Sequence, residues 1–294
     1  IKRSAPPSRS RTKTRTKKPF KHIAIYLALL EKCCTQTPRE TRNGNTFSIF
    51  GETLTHDLSQ GFPLLTTKRV FFRGVVEELA WFLRGSTNVD ELRERSVTIW
   101  NKNAERYDPE HKRDVGGMYG FLWRHFGAKY INCTTKYTDG IDQVAAVIRG
   151  IKESPYSRRH VISGWCPHTP AALPPCDVLY QSSVNDNKVS VQMYQRSADA
   201  FLGVPFNIAS TALLTHLIAH ECGLGVGNLR IIFGDLHVYA SHVDAVRQQL
   251  QRVPKMLPNI HISRPKDGLW NLQTEDIRLN DYHPEPTIRA EMIV

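Results

Sequence analysis

The run Asn207–Cys222 (NIASTALLTHLIAHEC) is apolar on almost every side at helical spacing. A helix of that kind has no stripe to give to water, so it has to lie inside the molecule under a cover of other elements. The cover is legible on both sides of it. Val178–Tyr194 is strand-like and is split by Asn185-Asp186-Asn187-Lys188, a hairpin turn, and Leu229–Phe233 reads as a further strand. Ile23–Lys32, Val70–Leu83 and Ile141–Lys152 carry helical spacing, and Leu236–Gln251 contains another helix. Thr46–Leu58 reads as a strand broken at Gly51, Val161–Trp165 as a short strand, and Ile277–Val294 as strands split by proline. Arg39–Asn45 reads as polar turn, and residues 101–140 as polar, aromatic and irregular. Helices and strands alternate without a fixed period, which predicts an α+β fold rather than a regular doubly wound sheet.

Composition narrows the class. The chain has 294 residues, 40% hydrophobic, with 18 Gly and 17 Pro, which excludes a collagen-like, coiled-coil or wholly disordered protein. It contains no run of roughly 18 apolar residues, so no membrane-spanning helix is expected. The formal charge of +11 is unevenly placed: Lys2, Arg3, Arg9, Arg11, Lys13, Arg15, Lys17, Lys18 and Lys21 fall in a stretch with no acidic residue, leaving 30 basic against 28 acidic elsewhere. The basicity belongs to a tail, 1–20, too apolar-poor to offset its ordering entropy and so expected to be a disordered arm or linker. A weak RNA-binding role and nuclear import are readings of the same arm. The folded body is expected over 21–294. Six cysteines fit no zinc spacing and no CxxC pair, and they are too sparse for a disulfide framework, so reduced thiols and a cytoplasmic location are expected.

Several short stretches carry chemistry, each with a plainer reading beside it. Leu173-Pro174-Pro175-Cys176 fixes the backbone ahead of a thiol. A free thiol has a pKa of about 8.5 and needs nearby positive charge to react at neutral pH; otherwise Cys176 is inert packing. Arg196-Ser197 and Arg158-Arg159 suit a phosphate dianion, or are surface ion pairs. Asn207, behind the Gly203/Pro205 turn, suits a pyrimidine edge, or caps the helix. His237 and Tyr239 point the same way if extended, towards sugar hydroxyls or into packing. Glu78 lies among apolar residues as an exposed carboxylate or a tuned general acid/base. Trp81, Phe82 and Trp100 make an aromatic wall or a piece of core.

Taken in order, these motifs have a common pattern. Phe62-Pro63-Leu64-Leu65-Thr66-Thr67-Lys68-Arg69, Glu78-Leu79-Ala80-Trp81-Phe82-Leu83-Arg84-Gly85, Ser157-Arg158-Arg159, Leu173-Pro174-Pro175-Cys176, Tyr194-Gln195-Arg196-Ser197-Ala198-Asp199, Phe201-Leu202-Gly203-Val204-Pro205-Phe206-Asn207-Ile208-Ala209-Ser210 and Gly234-Asp235-Leu236-His237-Val238-Tyr239 together resemble the thymidylate synthase family over roughly 21–294. Phe121–Tyr130 (FLWRHFGAKY) is similar to its eukaryotic and large-DNA-virus members.

The resemblance implies a homodimer with a large mixed sheet, the sheets packed back to back. It implies methylation of dUMP to dTMP by 5,10-methylenetetrahydrofolate, which supplies carbon and hydride, with no metal. It implies Cys176 as nucleophile at uracil C6, and Arg42, Gln195, Arg196 and Ser197 on dUMP. Arg158 and Arg159 would reach the partner subunit's site. Asn207 would read the pyrimidine, and His237 and Tyr239 the sugar. Asp199 would serve both ligands. Ile99, Trp100, Leu173, Leu202, Gly203, Phe206 and Ile293 would line the folate site, with Ile293 and Val294 closing over it. Glu78 and Tyr119 would handle proton transfers.

Departures accompany it. Asp177 follows the nucleophile where the family has His. An ungapped count from Gly51 puts Thr41 at the phosphate-arginine position and Arg42 one place late. Val115-Gly116-Gly117-Met118-Tyr119, Leu122, Cys166 and Ser182 are also unusual for the family. Two alternatives stay open: a dUMP hydroxymethylase on the same scaffold, and an inactive nucleotide- or RNA-binding homologue.

Overall fold

The buried helix is present and begins one turn earlier than its apolar run, at Gly203, ending at Glu221. The computed structural model of the chain describes residues 21–263 and 268–293; the basic arm 1–20 and Val294 lie outside them. In chain order, α1 (Lys21–Cys34) is followed by β1 (Arg39–Thr41), β2 (Gly44–Phe50) and β3 (Thr53–Asp57). A helical stretch holds α2 (Phe72–Leu83), α3 (Asp90–Glu94), α4 (Asn101–Tyr107), α5 (Tyr119–Arg124) and α6 (Gln143–Glu153). Then come β4 (Val161–Ser163), β5 (Asp177–Asn185), β6 (Lys188–Asp199), α7 (Gly203–Glu221), β7 (Gly225–Tyr239) and α8 (Val243–Leu250), with β8 (Asn259–Ile262) and β9 (Ile277–Asn280) last.

The large sheet runs β1-β2-β7-β6-β5-β4, with β3 also on β7. Its pairs are antiparallel except β6 with β7, which α7 joins as a crossover. This is the mixed sheet and helix layer of an α+β fold. The hairpin between β5 and β6 turns on Asp186 and Asn187, at φ 47° and 55°. Two consecutive positive φ angles match the right-handed twist of the strands they join.

β7 is 15 residues long, where the sequence suggested only Leu229–Phe233 as strand. Its second half, Gly234–Tyr239, keeps extended pairing because both edges are occupied: β2 pairs Asp235–Tyr239 and β6 runs along the other side. β3 pairs Asn228–Ile232, so β2 and β3 are one strand broken over a single partner. Gly51, at φ 82°, makes the break and donates its N–H to the Gly234 carbonyl at 3.1 Å. A Cβ on Gly234 would stand 2.7 Å from the Arg196 carbonyl oxygen.

Three other expectations are corrected. Residues 101–140 are not irregular throughout; α4 and α5 are too short for their spacing to register, although Tyr119–Trp123 is buried. Arg39–Asn45 is a hairpin turning at Arg42-Asn43, not a free turn. Among the described residues 277–293 only β9 is a strand, paired to β8. Pro284 and Pro286 lack the N–H a strand needs, and the segment is held by single contacts instead. Glu285 N–H donates to Thr66 O at 2.8 Å, His242 Nε2 meets Glu291 O at 2.8 Å, and Ile288 is buried.

α7 is buried nearly all round, with Ile208, Leu213 and Leu217 in the core. Its buried Thr211 and Thr215 hydroxyls donate to the carbonyls four residues back, each at 2.8 Å, so no donor is stranded. The turn into α7 is braced by Lys68, whose buried ammonium donates to the Phe201 carbonyl and lies 3.5 Å from the Phe201 ring centroid.

Three imidazoles pack between α1, β3 and α7. His22 and His56 have centroids 4.4 Å apart, and His216 borders Phe62 at 5.9 Å. Both nitrogens of His22 and Nε2 of His216 are buried without partners, while His56 Nε2 meets the Gly61 carbonyl at 2.9 Å. Burial holds all three below the usual 6.5, His216 down to about 4, with the neighbouring His56 charge adding to the effect on His22 and His216. Asp57 pulls His56 the other way. A group kept neutral in the fold but free to charge when unfolded loses stability as pH falls below its unfolded pKa. The urea midpoint is therefore expected to fall on going from about pH 7.5 to about pH 5, and His216→Phe to remove up to about one proton's share of that slope. An unaltered slope in the variant would refute this source of acid sensitivity.

Candidate active site

The carboxyl end of β6, the far half of β7 and the start of α7 surround a cavity of about 840 Å³. β6 contributes Gln195, Ser197 and Asp199 by its alternation, and β7 contributes Asp235, His237 and Tyr239. The parallel register sets Ser197 opposite Asp235 and Asp199 opposite His237. Of the residues singled out from the sequence, the cavity also brings together Arg42, Glu78, Ile99, Trp100, Tyr119 and Leu173. Cys176, Arg196, Leu202, Gly203, Phe206, Asn207 and Ile293 complete that set. Arg158 and Arg159 are not among them; both are exposed in the loop ahead of β4.

Cys176 ends the proline-fixed loop before β5. Its backbone N–H donates to the Tyr119 hydroxyl at 2.8 Å, and its carbonyl accepts the Arg196 N–H at 2.8 Å. Arg196 wraps the same loop, its Nε donating to the Pro175 carbonyl at 2.9 Å and its Nη2 lying 3.7 Å from Sγ. Burial pushes the Cys176 thiol up to about 11; Arg196 opposes that shift and Asp177 adds to it. The guanidinium is therefore in place beside the sulfur, but it does not outweigh desolvation. The Tyr119 oxygen accepts from Asp177 N–H as well, at 3.3 Å, which leaves its own O–H free of those two bonds.

Glu78, on α2, accepts from Trp100 Nε1 at 2.7 Å. Burial raises its carboxyl to about 7, eased by the Trp100 bond and reinforced by Asp177. Asp177 is itself raised to about 6 by burial, partly offset by the Tyr180 hydroxyl. Trp100 stands edge-on to Tyr119 at 6.1 Å and tilted to Trp81 at 6.2 Å, so it belongs to both the core and the cavity wall.

Asn207 is not a helix cap: α7 starts at Gly203, and Asn207 sits one turn inside it. Its Oδ1 accepts from Gln195 Nε2 at 2.9 Å, so its NH2 is the group left to offer. His237 Nδ1 lies 3.0 Å from Asp235 Oδ1, and Arg39 binds the other Asp235 oxygen. Desolvation lowers the His237 pKa, favouring neutral imidazole. Asp199 Oδ1 accepts from the N–H groups of Phe201 and Leu202 at 2.9 and 3.0 Å, tying a cavity residue to the turn into α7.

The β1–β2 hairpin, turning at Arg42-Asn43, puts both Thr41 and Arg42 on the cavity rim. Sequence reasoning missed Arg39, Asn103, Arg106, Asp235 and Met292 as cavity residues. Asn103 and Arg106 share a face of α4 at i, i+3 spacing just after Trp100, a signal that a helix of only seven residues is too short to show in the sequence. One end of the cavity is thus a rim of guanidinium groups, the middle holds a thiol, a phenol and two carboxyls, and Ile99, Trp100, Leu173, Leu202 and Phe206 form an apolar wall. Such a site suits a flat, anionic ligand with a second aromatic ligand stacked against it.

Residues 24–294 match the family model for Thymidylate synthase. Curated relatives agree. A Thymidylate synthase of Human herpesvirus 8 is 44% identical over 287 residues, covering 94% of this chain and 85% of that protein. The Homo sapiens Thymidylate synthase is 43% identical over 273 residues, 90% and 87% of the two chains. A Bifunctional dihydrofolate reductase-thymidylate synthase of Paramecium tetraurelia is 45% identical over 281 residues, which is 92% of this chain but 61% of the longer protein.

The geometry around the sulfur has a direct chemical readout. Because Arg196 is the cation that favours the Cys176 thiolate, Arg196→Gln is expected to slow alkylation of Cys176 by iodoacetamide at neutral pH about tenfold, the equivalent of one pKa unit. The measurement is the rate of mass-tagged Cys176 in peptide maps; an unchanged rate would remove Arg196 from that role.

Proposed function

The chain belongs to the thymidylate synthase family, and from that premise we propose that it makes dTMP from dUMP, using Cys176 as nucleophile. The family's enzymes are methyltransferases of nucleotide biosynthesis, homodimers that bind dUMP and folate. The observation that carries the reading is the placement of Cys176 in one cavity with a guanidinium rim and an apolar wall. 5,10-Methylenetetrahydrofolate, as co-substrate, supplies the carbon and the hydride.

The phosphate of dUMP lies at the rim, held by Arg42, Arg196 and Ser197, with Arg158 and Arg159 arriving from the partner subunit; their exposure here accords with that reach. Anchoring the phosphate fixes the ring against Sγ and turns a bimolecular encounter into a positioned one. The Asn207 NH2 addresses a ring carbonyl, and His237 and Tyr239 address the sugar. Cys176 thiolate adds to C6, which places the electron pair over C5 and O4 and makes C5 the nucleophile that C5 of free uracil is not. Tyr119, whose oxygen is already oriented by two backbone N–H groups, supports loss of the C5 proton, and Glu78 handles proton exchange. Ile99, Trp100, Leu173, Leu202, Gly203, Phe206 and Ile293 receive the folate, with Asp199 as its polar contact. The same apolar wall excludes water, which would otherwise divert the exocyclic methylene on the nucleotide to a hydroxymethyl product.

The test is incubation with 5-tritiated dUMP and methylenetetrahydrofolate. Tritium release, a methylated nucleotide by mass and dihydrofolate absorbance are expected together, and all three are expected to vanish in Cys176→Ala. A hydroxymethyl product without dihydrofolate would make the enzyme a hydroxymethylase. Undiminished tritium release in the variant would sink the nucleophile assignment.

A further inference from the structure

Among the described residues four carboxyls line the cavity; Asp199 is bound to backbone N–H groups and Asp235 to His237 and Arg39, and of the other two the proposed reaction uses only Glu78. Asp177 opens β5 directly after the nucleophile, is buried, and lines the same cavity. Its Oδ2 accepts from the Tyr180 hydroxyl at 3.0 Å, and its backbone N–H is held by Tyr119. Its Oδ1 is buried without any partner. A buried carboxylate oxygen left bare is expensive, and packing alone gives no reason for it.

The groups facing these two carboxyls explain the consequence. Trp100, Tyr119 on α5, Tyr180 on β5 and Gln195 on β6 are neutral, and Cys176 is a thiol. The cations are Arg196 on β6, already bound to the Pro174 and Pro175 carbonyls, and Arg106 at the rim on α4. Among the described residues neither carboxyl has an ion-pair partner. Two like charges sharing a weakly solvated wall cannot both form freely, so the pair holds more firmly a proton that burial already favours. The Tyr180 O–H supports negative charge on Asp177, which leaves the proton to Glu78.

We propose that Asp177 is a positioning residue whose charge keeps a proton on Glu78, so that Glu78 meets the pyrimidine as an acid. The inference deepens the proposed function and rests on it for its catalytic meaning. As the Cys176 thiolate forms the Sγ–C6 bond, the C5–C6 π pair shifts to C4–C5 and the C4=O π pair onto the exocyclic O4, which the Glu78 proton neutralises directly or through water. The same Asp177 charge opposes ionisation of Cys176, so the site gives up some nucleophile strength for a stronger hold on the acid.

Infrared difference spectroscopy of the intact ligand-free protein tests this without turnover, by following the protonated-carboxyl C=O band from about pH 5 to about pH 8. The component missing in Glu78→Gln belongs to Glu78. In Asp177→Asn that component is expected to titrate about one unit lower and to be roughly fivefold weaker at pH 7, whereas Asp177→Glu, which keeps the charge, retains the wild-type position. The alkaline limb of kcat/KM for tritium release should move down by the same amount, since activity that needs Glu78 protonated is lost as pH rises through its pKa. If the Glu78 band in Asp177→Asn titrates where the wild type does, the proposal is overturned. Should that variant not fold, Tyr180→Phe, which withdraws support for the Asp177 charge, is expected to shift the Glu78 band in the same direction, and no shift overturns the proposal equally. A shifted band in a protein that never turns over dUMP leaves Asp177 its role and refutes the proposed function instead.

Discussion

The parallel pairing of β6 with β7 is the constraint on which the rest of the structure depends. It places Ser197 beside Asp235 and Asp199 beside His237, so the polar floor of the cavity is a property of register rather than of any one side chain. A slip of one residue would turn every one of these groups to the opposite face of the sheet. The pairing is in turn enforced by α7, which must be buried and which crosses between the two strands, and by Gly234, where a side chain would strike the Arg196 backbone. Arg196 has the wrong parity for the floor; it reaches the sulfur by its length, wrapping the Pro174–Cys176 loop.

That arrangement has an electrostatic consequence. Cys176, Glu78 and Asp177 all have pKa values raised chiefly by removal from water, to about 11, 7 and 6, with the Asp177 charge adding to the first two. Near neutral pH Cys176 therefore keeps its proton and the Glu78–Asp177 pair shares one, with guanidinium groups lining the rim. A dianion entering at the rim meets the positive field of those groups, while inside the cavity the thiol and one carboxyl of the Glu78–Asp177 pair still hold their protons. Burial, which weakens Cys176 as a free nucleophile, is the same property that excludes water from the reacting atoms.

Much of this was legible in the sequence where a signal is local and repeats. The apolar run of α7, the Asn185–Lys188 turn and the Gly51 break each express their geometry within a few residues. The ordered motifs around Cys176, Arg196 and Asn207 located the cavity, because long motifs record contacts made across the fold. What was not legible depends on distant partners. Gly234–Tyr239 is a strand because β2 and β6 flank it, and nothing within the segment says so. α4 and α5 are too short to show a period, so Asn103 and Arg106 went unnoticed. The segment after β9 looks like strand by composition, yet is held by the burial of its own Ile288 and by His242 and Thr66, neither of which lies near it in the chain.

The amide pair deep in the cavity bears on which base the site accepts. Gln195 is buried and donates to Asn207 Oδ1, which takes up one of that oxygen's two lone pairs. What Asn207 keeps wholly uncommitted to Gln195 is its pair of donors. A uracil carbonyl satisfies such a donor; a cytosine amino group presents hydrogens to it and leaves donor facing donor. Leaving a buried donor unpaired costs about 1–3 kcal/mol, enough for roughly tenfold to hundredfold discrimination. For Asn207 to serve cytosine the amide would have to turn over, which would set its NH2 against Gln195 Nε2 and repeat the same conflict one residue away. The preference for uracil in the proposed reaction is thus built by two residues, and Gln195, which has no need to touch the base, is half of it.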